Sequence, residues 1–384
     1  MGILLLLISF GSIAAIILTP ALPELSREFD ISPSQAQLAM SVFLVGYALG
    51  MLPYGPIANR FGRKKAIWIG VGLTLIGSLL AIVAPLFWIL VVARFVQALG
   101  SAVGLKITFT MISDQHEGKV ATRAISLLSF AFALMPALGA AVGGYLVTHW
   151  GWMGCFYFIF AYGLLLGLLT FALPETSKQR NPEALQVGKI ARGYLRQFSC
   201  NATVLNGLLM GTISASFYTF ATLAPYIGIE TLGLSPEQYG FWNLTLCIGL
   251  ILGIAFTRWS AAKEKTRFAT FIAILLMGLG SIVMLISFLF SWITIWTLFV
   301  SAILMRIGSN AIWVNASMDG LSASHDKSNT SAVMQFLNLG TSTVALFLVG
   351  LFPTTQVLVL PITLCVIVVL LVFLRYQNLK NRAI

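Results

Sequence analysis

Three cations stand inside long apolar runs of this chain: Arg94, Lys106 and Arg306. A charge at that depth is costly unless it faces a polar cavity or a partner. Each therefore marks a place where an anionic group could be held or a helix tied to its neighbour. The side chains that relay protons at such depth, Asp, Glu and His, are missing from the same runs. Of the 12 carboxylates, Glu24, Glu28, Asp30, Glu230 and Glu237 sit at one end of the runs, and Asp114, Glu117, Glu175, Glu183, Glu264, Asp319 and Asp326 at the other. His116, His149 and His325 also fall between runs. The chemistry on offer is anion recognition. On a helix, Arg94 and Lys106 are separated by about 18 Å in height and about 120° in direction, so they do not grip one small group together. Lys106 lies near the end of its run, where its long stem could reach the interface. Arg306, in Met305-Arg306-Ile307-Gly308-Ser309-Asn310, is the expected substrate contact.

Polar and aromatic residues in the same runs could complete a cavity: Tyr47, Gln97, Tyr157, Phe217, Tyr218, Trp242, Asn243, Trp313, Asn315 and Gln335. Ligand cavities are mostly apolar with a few placed polar groups. Taken singly, each is better explained by packing or by an interfacial aromatic than by a ligand contact.

The elements that must position these residues are membrane helices. The chain has 384 residues, 58% hydrophobic and 9% charged, where a soluble domain carries roughly 25% charge. Apolar runs of the length a bilayer needs occur near 3–23, 36–56, 66–84, 86–112, 124–147, 151–173, 203–227, 239–257, 268–289, 291–316, 331–352 and 355–375. The first run lacks the basic flank and cleavage site of a signal peptide and is expected to be a helix of the mature chain. With both termini in the cytoplasm, the 23 Lys and Arg divide so that only Arg27 falls outside, apart from the three mid-span cations. That bias sets the orientation in an inner membrane. The net charge of +11 is spread over loops and does not suggest nucleic acid. Cys155, Cys200, Cys247 and Cys365 are scattered, without the spacing of a disulfide framework or a metal site.

The longest polar stretch, with Pro174 and Pro182 in or beside it, bisects the runs. The expected organisation is an all-α membrane protein of twelve helices: a first six-helix bundle at 1–175, a cytoplasmic linker at 176–201 and a second bundle at 202–384. Two such bundles would be related by an axis along the membrane normal.

The most informative loop is Gly55-Pro-Ile-Ala-Asn59-Arg60-Phe-Gly62-Arg63-Lys64-Lys65. Its cations hold that side in the cytoplasm, and Gly62 can take the positive φ at which a helix stops. The spacing Gly55-x-x-x-Asn59-Arg60-x-Gly62-Arg63-Lys64 is one of three motifs. The second is Arg94-x-x-Gln97-x-x-Gly100-x-x-x-Gly104, and the third is Pro136-x-x-Gly139-x-x-x-Gly143-Gly144. Leu173-Pro174-Glu175-Thr176 follows the sixth run. With these, the chain resembles the major facilitator superfamily, most closely its drug–proton antiporter branch, which includes bicyclomycin and chloramphenicol exporters.

The resemblance implies alternating access, with the two halves rocking around a midplane site. It also implies that Gly55, Asn59, Arg60, Gly62 and Arg63 form a cytoplasmic latch against the start of helix eleven. Pro136, Gly139, Gly143 and Gly144 would form a gating helix, and Arg94 is associated with proton coupling. The implied cargo is a small molecule, handled by a monomer in the lipid bilayer without a cofactor. The chain departs from the pattern where relatives carry an acid: Asn59 replaces an Asp in the loop, and Ile16 stands where an acid precedes Pro20-Ala-Leu-Pro23. Met51 and Phe109 stand where a Gln and an Arg are common. These changes put the implied proton coupling in doubt and leave two expectations, a drug-efflux antiporter or a carrier of an anionic metabolite such as a carboxylate siderophore. No HExxH, GxSxG or GxxxxGK[ST] is present, which argues against a membrane protease, a hydrolase and an ATP-driven pump.

Overall fold

Long apolar stretches must satisfy their backbone polar groups internally when they cross lipid, which leaves helices as the solution here. The computed structural model describes residues 1–116, 118–177, 181–324, 326–352 and 356–383. Glu117, Lys178, Arg180 and His325, counted above among the loop charges, lie outside them. Among the described residues the chain is helical without a strand, and eleven helices are long and apolar enough to cross a membrane.

In chain order the elements are α1 (Gly2–Glu28), α2 (Pro33–Phe61), α3 (Arg63–Ile82) and α4 (Phe87–Gln115), then α5 (Gly118–Phe171) and the short α6 (Val187–Phe198). They continue with α7 (Asn201–Thr231), α8 (Pro236–Ala262), α9 (Thr266–Leu289) and α10 (Ile295–Ser322), α11 (Lys327–Val349) and α12 (Val359–Ala383). The expected fifth and sixth spans both lie in α5. Their break is Gly151, whose φ of 65° is non-helical and suits glycine. At this break the Trp152 amide donates to Glu24 Oε1 (3.3 Å). The polar stretch at 176–201 contains a helix that its composition did not announce. Tyr194 and Gln197 of α6 face inward and find partners there.

Within each half of the sequence α1 packs on α5, α2 on α4, α3 on α4, α7 on α11 and α9 on α10. Contacts between the halves are carried chiefly by α5 on α8 and α2 on α11. The α5–α8 seam relies on glycine. A side chain at Gly143 would run into the Ile17 backbone of α1, and one at Gly144 into the Pro236 backbone of α8. Gly240 answers from α8, where a Cβ would lie 2.8 Å from Ala140 O. Small residues are what let helix backbones approach this closely in a membrane.

The end remote from the basic loop is sealed by contacts between the two halves. Ser34 Oγ donates to Phe352 O (3.2 Å), and the Glu237 amide donates to Thr148 Oγ1 (3.1 Å). Tyr226 Oη meets Ser26 Oγ (3.0 Å), and His149 lies 3.7 Å from Glu237.

Candidate functional site

Three of the expected site residues come together where the halves meet. By a rise of 1.5 Å per residue, Tyr47 stands about 21 Å along α2 from its basic-loop end, Arg306 about 24 Å along α10 and Tyr218 about 26 Å along α7. Each is therefore near the middle of its own helix. The Arg306 guanidinium lies over the Phe217 ring, 4.7 Å from its centroid, a cation–π contact that strengthens when desolvated. Tyr218 and Cys247 lie within electrostatic reach of Arg306, and Tyr47 within reach of Tyr218. Both Phe217 and Tyr218 pack against the core formed mainly by residues 4–173. The Tyr47 ring stacks on Phe43, and its buried hydroxyl has no hydrogen-bond partner among the described residues.

The wall around Arg306 is a pocket of about 30 Å³ lined by Ser216, Phe217, Phe220, Leu246, Ala302, Met305 and Ser309. Composition alone did not single out Ser216, Phe220, Leu246, Met305 or Ser309. The available signal was periodicity: Ala302, Met305, Arg306 and Ser309 fall on one face of α10, and Ser216, Phe217 and Phe220 on one face of α7. Among the described residues Arg306 makes no ion pair. This small pocket sets one guanidinium and the hydroxyls of Ser216 and Ser309 against the aromatic wall of Phe217 and Phe220, groups that can donate to an anion.

The other cations do different work. Arg94 is fully buried and ties four helices. Its Nη1 donates to Ala14 O of α1 (3.0 Å) and to Gln97 Oε1 (2.5 Å), and its Nε donates to Ala39 O of α2 (3.3 Å). Gln97 passes the link to Ser78 of α3 (2.9 Å), and Phe43 covers the guanidinium at 4.1 Å. Arg94 and Gln97 are thus held inside the first half, away from the Arg306 pocket. Lys106 is half-buried with its stem against Gly55 of α2, nearer the basic-loop end.

The remaining candidates are dispersed. Tyr157 is 53% exposed on the outside of the helices. Trp242 packs on Trp296 and Phe299, and Asn243 bonds back to Tyr239 O of its own helix (2.8 Å). Asn315 links α10 to Thr270 of α9 (3.0 Å). Trp313 packs on a separate core cluster, and Gln335 accepts from Asn338 (3.0 Å).

The basic loop is wired to acids that the sequence left unpartnered. Arg63 pairs with Asp114 at the end of α4 (3.0 Å) and donates through Nη1 to Ala58 O (2.9 Å) and Asn59 Oδ1 (2.8 Å). Thr176 Oγ1 donates to the same Asp114 (2.8 Å). Gly62, at φ 101°, stops α2 and leaves no room for a side chain beside Glu175. The Glu175 carboxylate accepts from the Arg63 and Lys64 amides (2.9 and 3.2 Å), so it caps the positive end of the α3 dipole. Arg60 donates to Pro182 O, and the Asn181 amide donates to Asn59 O (3.0 Å). These loop contacts run to Asp114 of α4 and to Glu175, Asn181 and Pro182.

Burial alone would raise the Glu175 carboxyl. Backbone N–H bonds from Ser177, Arg63 and Lys64, with the Arg63 charge, outweigh it and hold the group below the ordinary carboxylate value. A depressed carboxyl contributes stability that is complete at neutral pH and is lost as pH falls through its folded value. Amide exchange in the first turn of α3, corrected for intrinsic rate, should therefore stay slow from pH 8 to 6 and accelerate only below about pH 4. In Glu175→Gln it should be faster from pH 8 to 6, by the roughly 0.3–1 kcal/mol of a charge at a helix N-terminus, and the two proteins should converge once the wild-type carboxyl is protonated. Equal protection in both proteins at neutral pH would remove this role.

The comparisons with known proteins agree with this architecture. The family model described as Major Facilitator Superfamily matches residues 4–345. Multidrug resistance protein D of Escherichia coli (strain K12) is 27% identical over 320 residues, covering 81% of this chain and 77% of the relative. A bicyclomycin resistance protein homolog of Haemophilus influenzae is 28% identical over 278 residues, covering 70% of this chain and 68% of the relative. Among solved structures, the partially occluded inward open conformation of the xylose transporter XylE from E. coli superposes with a TM-score of 0.72 at 13% identity, over 96% of this chain and 95% of that one. A bacterial homolog of the human lysosomal transporter Spinster, inward-facing and unoccupied, gives 0.73 at 16% identity, over 99% and 96%.

Proposed function

The chain belongs to the Major Facilitator Superfamily, and on that premise we propose that it is a secondary transporter that exports small organic molecules across the inner membrane. The relatives named for multidrug and bicyclomycin resistance support the direction. The two six-helix bundles, 1–175 and 202–384, rock about the Tyr47–Tyr218–Arg306 level, and segment 176–201 joins them. The basic loop and both termini face the cytoplasm, and the protein acts as a monomer. With the remote end sealed, the cargo reaches the site from the basic-loop side and leaves after α5–α8 and α2–α11 part.

The observation that carries the reading is the Arg306 guanidinium, without an ion pair among the described residues and backed by Phe217, which itself packs against the first half. It also favours a particular cargo, an organic anion with an apolar body. A guanidinium without an acid nearby repels cations and offers forked hydrogen bonds to a carboxylate. A site for a cationic drug would need a buried acid, and among the described residues none adjoins Arg306 in an ion pair.

Inside-out membrane vesicles with an imposed pH gradient test both parts. We expect accumulation of an aromatic carboxylate that disappears in vesicles lacking the protein. Dependence on the gradient would support antiport. Preference for a cationic dye of similar size over the carboxylate would overturn the anion reading, and no accumulation of either would overturn transport itself.

A further inference from the structure

The helix α6 crosses the basic-loop end between the halves, and its two sides differ. On the inner side the Tyr194 hydroxyl donates to Leu52 O of α2 (3.1 Å), and Gln197 Oε1 accepts from Thr330 Oγ1 of α11 (2.9 Å). One short helix is thereby fastened to a helix of each half. At about 100° per residue, Arg192 and Arg196 fall within about 40° of each other on the opposite side. Leu195 lies about 60° from Arg192 and Phe198 about 60° further round. All four are exposed, Leu195 by 64% and Phe198 by 40%, although the Phe198 ring also meets Phe336 of α11 edge-on at 6.1 Å. Arg192 Nε bonds back to Gly188 O (3.0 Å) and the side chain remains on the surface. The exposed side therefore has a basic edge and an apolar edge, side by side.

That layout fits a membrane boundary. The spanning helix α7 begins at Asn201, three residues after Phe198, or about 5 Å of helix rise. An interfacial helix sinks its apolar edge about 5–10 Å into the headgroup and acyl boundary while its cations meet the phosphates. A soluble protein partner would more naturally match the basic edge with acids and would leave the large apolar side chains without lipid.

We propose that the outer side of α6 binds anionic phospholipid: Arg192 and Arg196 hold the headgroup phosphate, and Leu195 enters the acyl layer beside the exposed edge of Phe198. The lipid is then a third attachment of a strap whose other two attachments are Leu52 and Thr330. The site is independent of the transported molecule and of the direction of transport.

The full-length protein, reconstituted in equal mixtures of phosphatidylglycerol and phosphatidylcholine and then released from excess lipid, reports the site through the lipids it retains, read by native mass spectrometry. The wild type should be enriched in phosphatidylglycerol. Arg192→Gln with Arg196→Gln should reduce that enrichment by about 30-fold, from the roughly fivefold that each surface cation contributes to binding anionic lipid. The charge-conserving Arg192→Lys with Arg196→Lys should retain it. Leu195→Gln should weaken retention of both lipids, and excess inorganic phosphate should not displace them. Enrichment that is absent in the wild type or unchanged in the Gln pair would overturn the proposal. So would full displacement by free phosphate, which would make it a phosphate site, or a shift to dimers that covers α6 with a second copy.

Discussion

Arg306→Gln should leave the protein folded in the membrane and remove most transport of an organic anion. The guanidinium contributes a charge-assisted hydrogen bond to the cargo, worth about 1.5–3 kcal/mol, which is roughly 10- to 150-fold in affinity. The loss should appear as a higher KM and a lower rate at fixed substrate, with the amount of protein in the membrane unchanged. Removing the charge should not destabilise the fold, because Arg306 holds no ion pair among the described residues and burying an unpaired cation is itself costly. Arg306→Lys should be intermediate: it keeps the charge but loses the planar stack on Phe217 and the forked geometry. Tyr47→Phe, on the facing half, should cost less, since only its hydroxyl is removed. Wild-type transport by Arg306→Gln would eliminate this site.

The second large effect is conformational. Gly144→Val should drive the molecule away from the state in which the remote end is sealed. A Cβ at residue 144 meets the backbone of Pro236 and lies 3.2 Å from Gly240 Cα, and a helix backbone cannot rotate aside as a side chain can. Overpacking of this kind costs about 1–3 kcal/mol, enough to move an equilibrium between sealed and open by roughly 5- to 150-fold. Spin labels at Gln35 and Leu351, beside the Ser34–Phe352 contact, should report a longer distance. Gly139→Ala is the contrast, because a Cβ there faces Ile13 of the same half (3.3 Å) and should lower stability without lengthening that distance. An unchanged distance in Gly144→Val would remove the seam from the account.

Much of the fold was legible because a membrane imposes helix length and loop charge on the sequence. The break in α5 was legible too, as a boundary between expected spans, and Gly151 marks it with its non-helical φ of 65°. The candidate site was legible only in part. Depth made Arg306 conspicuous, whereas Tyr47 and Tyr218 come from opposite halves and no periodicity links them. Tyr157 looked equivalent to Tyr218 in sequence, and which way a mid-span tyrosine points depends on helix rotation. Arg94 looked like a second site cation, but its Nε and Nη1 are tied to backbone carbonyls of α2 and α1 and to Gln97, with Nη2 left without a partner among the described residues. The loop was readable as a turn, while its wiring to Asp114 and Glu175 arises only from packing. The missing mid-span acid, marked by Ile16 and the amide of Asn59, was visible from the start. It is now matched by a pocket whose one charge is positive.

The central claim is that this pocket selects negative charge. The most direct measurement is equilibrium binding of an aromatic carboxylate and its uncharged carboxamide isostere to the purified protein, in the wild type and in Arg306→Gln. The wild type should prefer the carboxylate by roughly 10- to 150-fold, the worth of the charge-assisted bond. Arg306→Gln should bind the two about equally. Equal binding by the wild type, or an undiminished preference in Arg306→Gln, would contradict the account.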